Sequence, residues 1–142
     1  MLNNVLNDSF SLELWFLDAA PLPDHSINYS LLYKADKNQF TDNSIWLYRK
    51  RQDGNLLFTI QNGDKQRLQL AIKNPSLTIP NHERTFHHLV INIDRRSNKE
   101  TGNATAFLDG KEVSRSEFDP RIKIQNNGDL IVGNNHSLNS PW

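Results

Sequence analysis

Hydrophobic and polar positions alternate along most of this chain with a period of two. Phe10, Leu12, Leu14 and Phe16 fall on one side of an extended segment, and Ser11, Glu13 and Trp15 on the other. That is the pattern of a half-buried strand. The alternation returns at Leu56, Phe58 and Ile60, at Leu68, Leu70 and Ile72, and across His87–Ile93. Further strands are expected at Tyr29–Lys34, Ile45–Arg49, Ala104–Leu108, Lys111–Val113, Ile122–Ile124 and Leu130–Val132. No window of about 11 residues sustains apolar positions at i, i+3, i+4 and i+7, so no helix is expected.

The segments between are turn-like. Asp53-Gly54 and Asp109-Gly110 each separate two β-rich runs, and such pairs tolerate the positive φ that hairpin turns need. Asn62-Gly63 marks another turn, and Pro21 and Pro23 break the segment after Phe16 because they fix φ and remove amide donors. Many short strands with turn signals between them predict an all-β, antiparallel two-sheet sandwich, one domain over residues 1–142.

Composition narrows the function classes. Lys plus Arg (16) equals Asp plus Glu (16), so no global field draws the chain to nucleic acid or an anionic membrane. Arg49-Lys50-Arg51 is the dense basic cluster; it reads as a solvated strand end, or as an anion contact. No stretch approaches the roughly 20 apolar residues of a membrane span, and Met1–Val5 lacks the regions of a signal peptide. There is no cysteine, which leans away from a disulfide-stapled eukaryotic extracellular domain and towards a bacterial, phage or intracellular origin.

Four landmarks occur in order. Phe10-Ser11-Leu12-Glu13-Leu14-Trp15-Phe16 is the first, and the paired runs Ile45–Arg49 and Leu56–Ile60 around Asp53-Gly54 are the second. The third is Phe86-His87-His88-Leu89-Val90-Ile91 followed by Phe107-Leu108-Asp109-Gly110-Lys111, and the fourth is Leu130-Ile131-Val132-Gly133. In these the chain resembles the concanavalin A-like superfamily, in its laminin G-like branch, over roughly Phe10 to Asn134. It is similar in the same way to the N-terminal half of clostridial neurotoxin receptor-binding domains. The resemblance implies a jelly-roll sandwich, a fold that hosts lectins, glucanases and adhesive modules alike. Phe86 stands where the family usually has Trp and looks like a conservative core change. Trp15 follows the family's usual position and reads as structural.

Family members usually add one or two strands before the first landmark and one after the last. Neither has a clear counterpart here, since residues 1–9 supply at most one short strand. The chain is therefore expected to lack its outermost N- and C-terminal strands and to be a fragment of a larger protein. Its open edge at Phe10–Phe16 is expected to pair with a second copy or a neighbouring domain.

The chemistry-bearing residues are few. Glucanases of the superfamily carry Glu-x-Asp-x-x-Glu on one strand, and this chain has no such triplet. The acid pairs Asp36/Asp42 and Glu112/Glu117 read as solvated carboxylates. His87 and His88 are adjacent on a strand and point to opposite faces, so they cannot chelate one metal. The resemblance implies calcium at the sandwich rim, with Asp42 near the expected ligand position in an oxygen-rich loop, residues 36–43; no other cofactor is expected. Trp46 and Tyr48 share one face of their strand, opposite Ile45, Leu47 and Arg49. One of these faces is core, and the other is a covered surface or one on which sugar rings stack. The expected function is a non-catalytic recognition module for glycan or protein within a larger surface, secreted or toxin-like protein, outside the cell or at its surface. A structural spacer is the alternative, and a partial glycosidase a third reading.

Overall fold

The alternating segments form strands in the computed structural model, which describes residues 2–18, 28–35, 43–63, 66–78, 83–96 and 100–133. The strands are β1 (Phe10–Phe16), β2 (Tyr29–Lys34), β3 (Ser44–Arg49), β4 (Leu56–Asn62), β5 (Gln66–Ile72), β6 (His87–Asp94), β7 (Gly102–Leu108), β8 (Lys111–Phe118) and β9 (Ile131–Val132). They make two antiparallel sheets, one ordered β1-β6-β7-β8 and the other β5-β4-β3-β2-β9. This is the jelly-roll sandwich that the landmarks imply.

Period two decides which side chains meet between the sheets. Ile45 and Leu47 of β3, Leu56, Phe58 and Ile60 of β4, and Leu68, Leu70 and Ile72 of β5 are buried. Leu89, Ile91 and Ile93 of β6, with Ala104 and Ala106 of β7, are buried in the same core. The hairpins fall where Asp-Gly predicts. Asp109 and Gly110 have φ of 50° and 78°, which suits the strongly twisted two-residue turn between β7 and β8.

Three expectations need correction. A five-residue helix, α1 (Leu2–Leu6), precedes β1, and Pro75–Thr78 forms a 3-10 turn. Both are shorter than any window in which helical periodicity can register. Ile122–Ile124 is not a strand. Its alternation does bury Ile122 and Ile124, but the Asn7 side chain takes the place of a neighbouring strand. Ile124 N–H donates to Asn7 Oδ1 at 2.6 Å, and Asn7 Nδ2 donates to the Ile124 carbonyl at 2.8 Å.

Two cations fasten the connection from β8 to β9. Arg95 donates to the carbonyls of Leu6, Asp8, Pro120 and Ile122, with its guanidinium 5.5 Å from the centre of the Phe118 ring. At the far end of the segment Lys34, 3% exposed, donates its ammonium to the carbonyls of Asn126 and Gly128. Gly128 lies so close to Ala35 that an added Cβ meets the Ala35 carbonyl oxygen at 1.8 Å. Among the described residues no helix is long and apolar enough to cross a membrane.

Candidate functional site

The outward face of β2, β3 and β4 gathers aromatic and polar side chains. Trp46 and Tyr48 are both half-buried, and their rings stack with centroids 3.8 Å apart and planes 27° from parallel. Tyr33 meets Trp46 edge-on at 6.3 Å. Trp46 Nε1 donates to Ser30 Oγ at 2.9 Å, which fixes the indole. Strand register places Thr59 beside Trp46 and Leu57 beside Tyr48. On β5 it places Gln69 opposite Thr59 and Arg67 opposite Gln61, with Arg67 and Gln69 exposed.

Electrostatics on this face are mildly positive. Burial pushes the Tyr48 phenol up from its ordinary value, against a smaller opposing pull from Lys50 and Arg67, so the hydroxyl remains a neutral donor and acceptor at physiological pH. The basic cluster beside it divides. Arg49 points inward at 3% exposure and pairs with Asp18 at 3.3 Å, so it is not the solvated strand end that composition predicts. Lys50 pairs with Asp53 at 2.8 Å.

Ser30, Tyr33, Thr59 and Gln69 were not singled out from the sequence as partners of Trp46 and Tyr48. The alternation within β4 and β5 carries their side, but their alignment depends on register. On β2 the phase also shifts, since the pairing with β3 slips between Ser30 and Leu32. That bulge puts both Ser30 and Tyr33 on the outer side.

On the other sheet, the two histidines point apart as expected. His87 is buried, with Nδ1 2.8 Å from Asp109 Oδ2. The His88 amide donates to Asp109 Oδ1 at 2.9 Å. The Asp-Gly turn thus clamps the start of β6, a link between two landmarks that spacing alone does not reveal. His88 Nε2 lies 2.7 Å from Glu13 Oε1, and its ring stacks on Trp15 at 4.6 Å. Trp15 is 65% exposed, and Phe86, expected in the core, is 64% exposed. Alternation explains Phe86: one position before buried His87, it turns to the solvent side.

Asp42 and the loop 36–42 lie outside the described residues, as do Asp36 and Trp142. Among the described residues no cluster of three His, Cys, Asp or Glu could hold a metal. Asn43, the residue after Asp42, keeps a buried side-chain oxygen without a hydrogen-bond partner among the described residues, while the carbonyls around it are taken. The Asn43 carbonyl accepts from Asn126 Nδ2, and the nearby carbonyls of Asn126 and Gly128 already hold the Lys34 ammonium, whose charge opposes a second cation. Glu112, one of the paired carboxylates, is held by Arg115 at 2.7 Å.

The family model described as the concanavalin A-like lectin/glucanases superfamily matches residues 2–142, and the chain belongs to that family. Among solved structures, the chain is similar to the CBM40 of a Ruminococcus gnavus IT-sialidase bound to α2,6 sialyllactose. The TM-score is 0.63 at 12% identity, over 91% of this chain and 67% of that one. At that identity the likeness speaks for the fold alone. No curated protein matches the sequence significantly.

Proposed function

We propose that this chain is a non-catalytic recognition module that binds carbohydrate on the outer face of the five-stranded sheet. The observation that carries the reading is the stacked pair Trp46–Tyr48, turned away from the core and held by Ser30 and Tyr33. A preorganised aromatic surface presents an apolar plane to the C–H face of a sugar ring. Gln61 and Gln69 around it supply hydrogen-bonding groups for hydroxyls, the mixture that binding sites use. Arg67 favours an acidic sugar over a neutral one, and the similar CBM40 is bound to such a sugar. The side chains of this face that would meet the sugar are aromatic and neutral polar groups with Arg67, none of them a calcium ligand of the usual carboxylate kind, so this reading needs no metal. In this reading the module serves a larger protein outside the cell or at its surface.

The test is a glycan array followed by calorimetry on the hits. Trp46→Ala lowers affinity at least tenfold, as truncation of a central aromatic anchor does, while Arg67→Ala weakens acidic ligands more than neutral ones. Chelation by EDTA leaves affinity unchanged. Hits whose affinity survives Trp46→Ala overturn the assignment of this face.

A second reading, contact with a protein or neighbouring domain, is favoured by the exposed Trp15, Leu17 and Phe86 on the opposite sheet. It predicts that Trp15→Ala leaves glycan binding intact and weakens that contact.

A further inference from the structure

The outer aromatic face does not stop at the rim of its sheet. β9 pairs with β2 only at Leu32 and Tyr33, with one further bond from the Gly133 amide to the Leu31 carbonyl at 2.8 Å. At Tyr29 and Ser30, β2 is therefore the edge among the described residues, and the face turns there into the space between the sheets. Across that space lies β1, which among the described residues pairs with β6 alone. The two edges enclose a cleft of about 450 Å³, within the size range of small-molecule sites. Leu14, Phe16, Leu31, Leu56 and Val132 line it. Its charged members, Asp18 and Arg49, pair with each other at 3.3 Å, and Asn74 Nδ2 donates to Asp18 Oδ2 at 2.6 Å. The cleft thus offers apolar surface and compensated charge, which suits a neutral chain and not an ionic head.

We infer that the ligand of the aromatic face is a glycolipid, with its sugar on Trp46 and Tyr48 and its alkyl chain in this cleft. The inference rests on the sugar-binding reading above and names the kind of glycan that the face takes. Ser30 joins the two places. Its hydroxyl accepts from Trp46 Nε1 at 2.9 Å, it stands opposite Tyr48 in the register of β2 and β3, and it lines the cleft. One strand spacing, about 4.8 Å, therefore separates a sugar on Tyr48 from the strand that borders the cleft. A glycosidic oxygen and the first carbons of an aglycone cover that step. The lining suits a linear chain, since apart from Phe16 its apolar walls are aliphatic. Leu14 and Leu31 are only partly buried against the core, and Val132 is 66% exposed. A chain lying on them takes apolar surface from water, and each methylene covered adds to affinity. The bound sugar holds the chain beside the cleft, so the second contact forms within one complex.

Calorimetry on the full chain with the methyl and octyl glycosides of sialic acid, below the concentration at which the octyl form makes micelles, tests this. The octyl glycoside is expected to bind at least about tenfold more tightly than the methyl glycoside. Val132→Gln and Leu14→Gln, neutral changes in the cleft, bring the octyl glycoside down to the methyl value and leave the methyl value unchanged. Trp46→Ala weakens both glycosides alike. Val132 is the more exposed of the two cleft positions, so its variant keeps the fold, and melting curves check both. Equal affinities of the two glycosides overturn the inference and leave the sugar reading standing; the cleft then has another occupant, such as a second copy or chain outside the described residues. An octyl advantage that survives both cleft substitutions also overturns it, because the chain then lies elsewhere. If neither glycoside binds, the acidic-sugar reading fails and the inference falls with it.

Discussion

Gly110 and Asp109 show how much one turn carries. At Gly110 φ is 78°, and an added Cβ would meet nothing within 4 Å, so any substitution penalty there is conformational rather than steric. Gly110→Val therefore costs about 1–2 kcal/mol or more, Lys111→Ala much less, and their melting temperatures should differ by several degrees. Equal values would show that the turn relaxes. Asp109 adds a charge effect. The His88 amide, and then His87, hold its carboxyl below the usual aspartate value. A folded-state pKa lowered in this way contributes stability above the unfolded value of about 3.9. That contribution is lost as pH falls through the folded value. Asp109→Asn, which tolerates the same backbone conformation, should melt lower than wild type at neutral pH and converge with it in acid. A constant gap across a pH series of melting curves would show that the charge is not involved. The Asp-Gly turn was legible in the sequence; the bond from Asp109 back to the start of β6 was not, because it joins residues 22 positions apart.

Within a strand, the two faces obey different constraints, and β3 shows the contrast. Leu47 is fully buried and Trp46, next to it, is half-buried on the opposite side. Leu47→Ala should cost about 2–5 kcal/mol, lowering the melting temperature by roughly 10 °C. Trp46→Ala should cost less stability and more binding. A Trp46 variant that melts as low as the Leu47 variant would make the aromatic face a packing surface. Alternation alone separates Ile45 and Leu47 from Trp46 and Tyr48, which is why these candidates could be read from the sequence. It fails at β2, where the bulge between Ser30 and Leu32 resets the phase. It also misleads at Ile122–Ile124, where burial alternates although the backbone bonds to Asn7. Alternation reports which side chains are covered, not what pairs with the main chain.

Across the whole molecule, the two sheets are closed by groups that no periodicity marks. The Lys34 ammonium and Asn126 side chain tie the segment before β9 to the starts of β3 and the end of β2. Removing the charged donor with Lys34→Met leaves buried carbonyls unsatisfied, at about 1–3 kcal/mol. Exchange at Ile131 and Val132 should quicken while β4 stays protected; uniform quickening would instead mean that Lys34 supports the entire sandwich. The sheet orders carry a further consequence, for the chain as it is made. β2 to β5 are neighbours in both sequence and space, and so are β6 to β8. β9, which returns beside β2, and β1 are the exceptions, and the partner of β1, β6, begins about seventy residues after β1 ends. At roughly 5–20 residues per second of synthesis, the first apolar strand to leave the ribosome waits several seconds for the one it must lie beside, and for that interval it is the segment most open to capture by a chaperone or by another nascent chain.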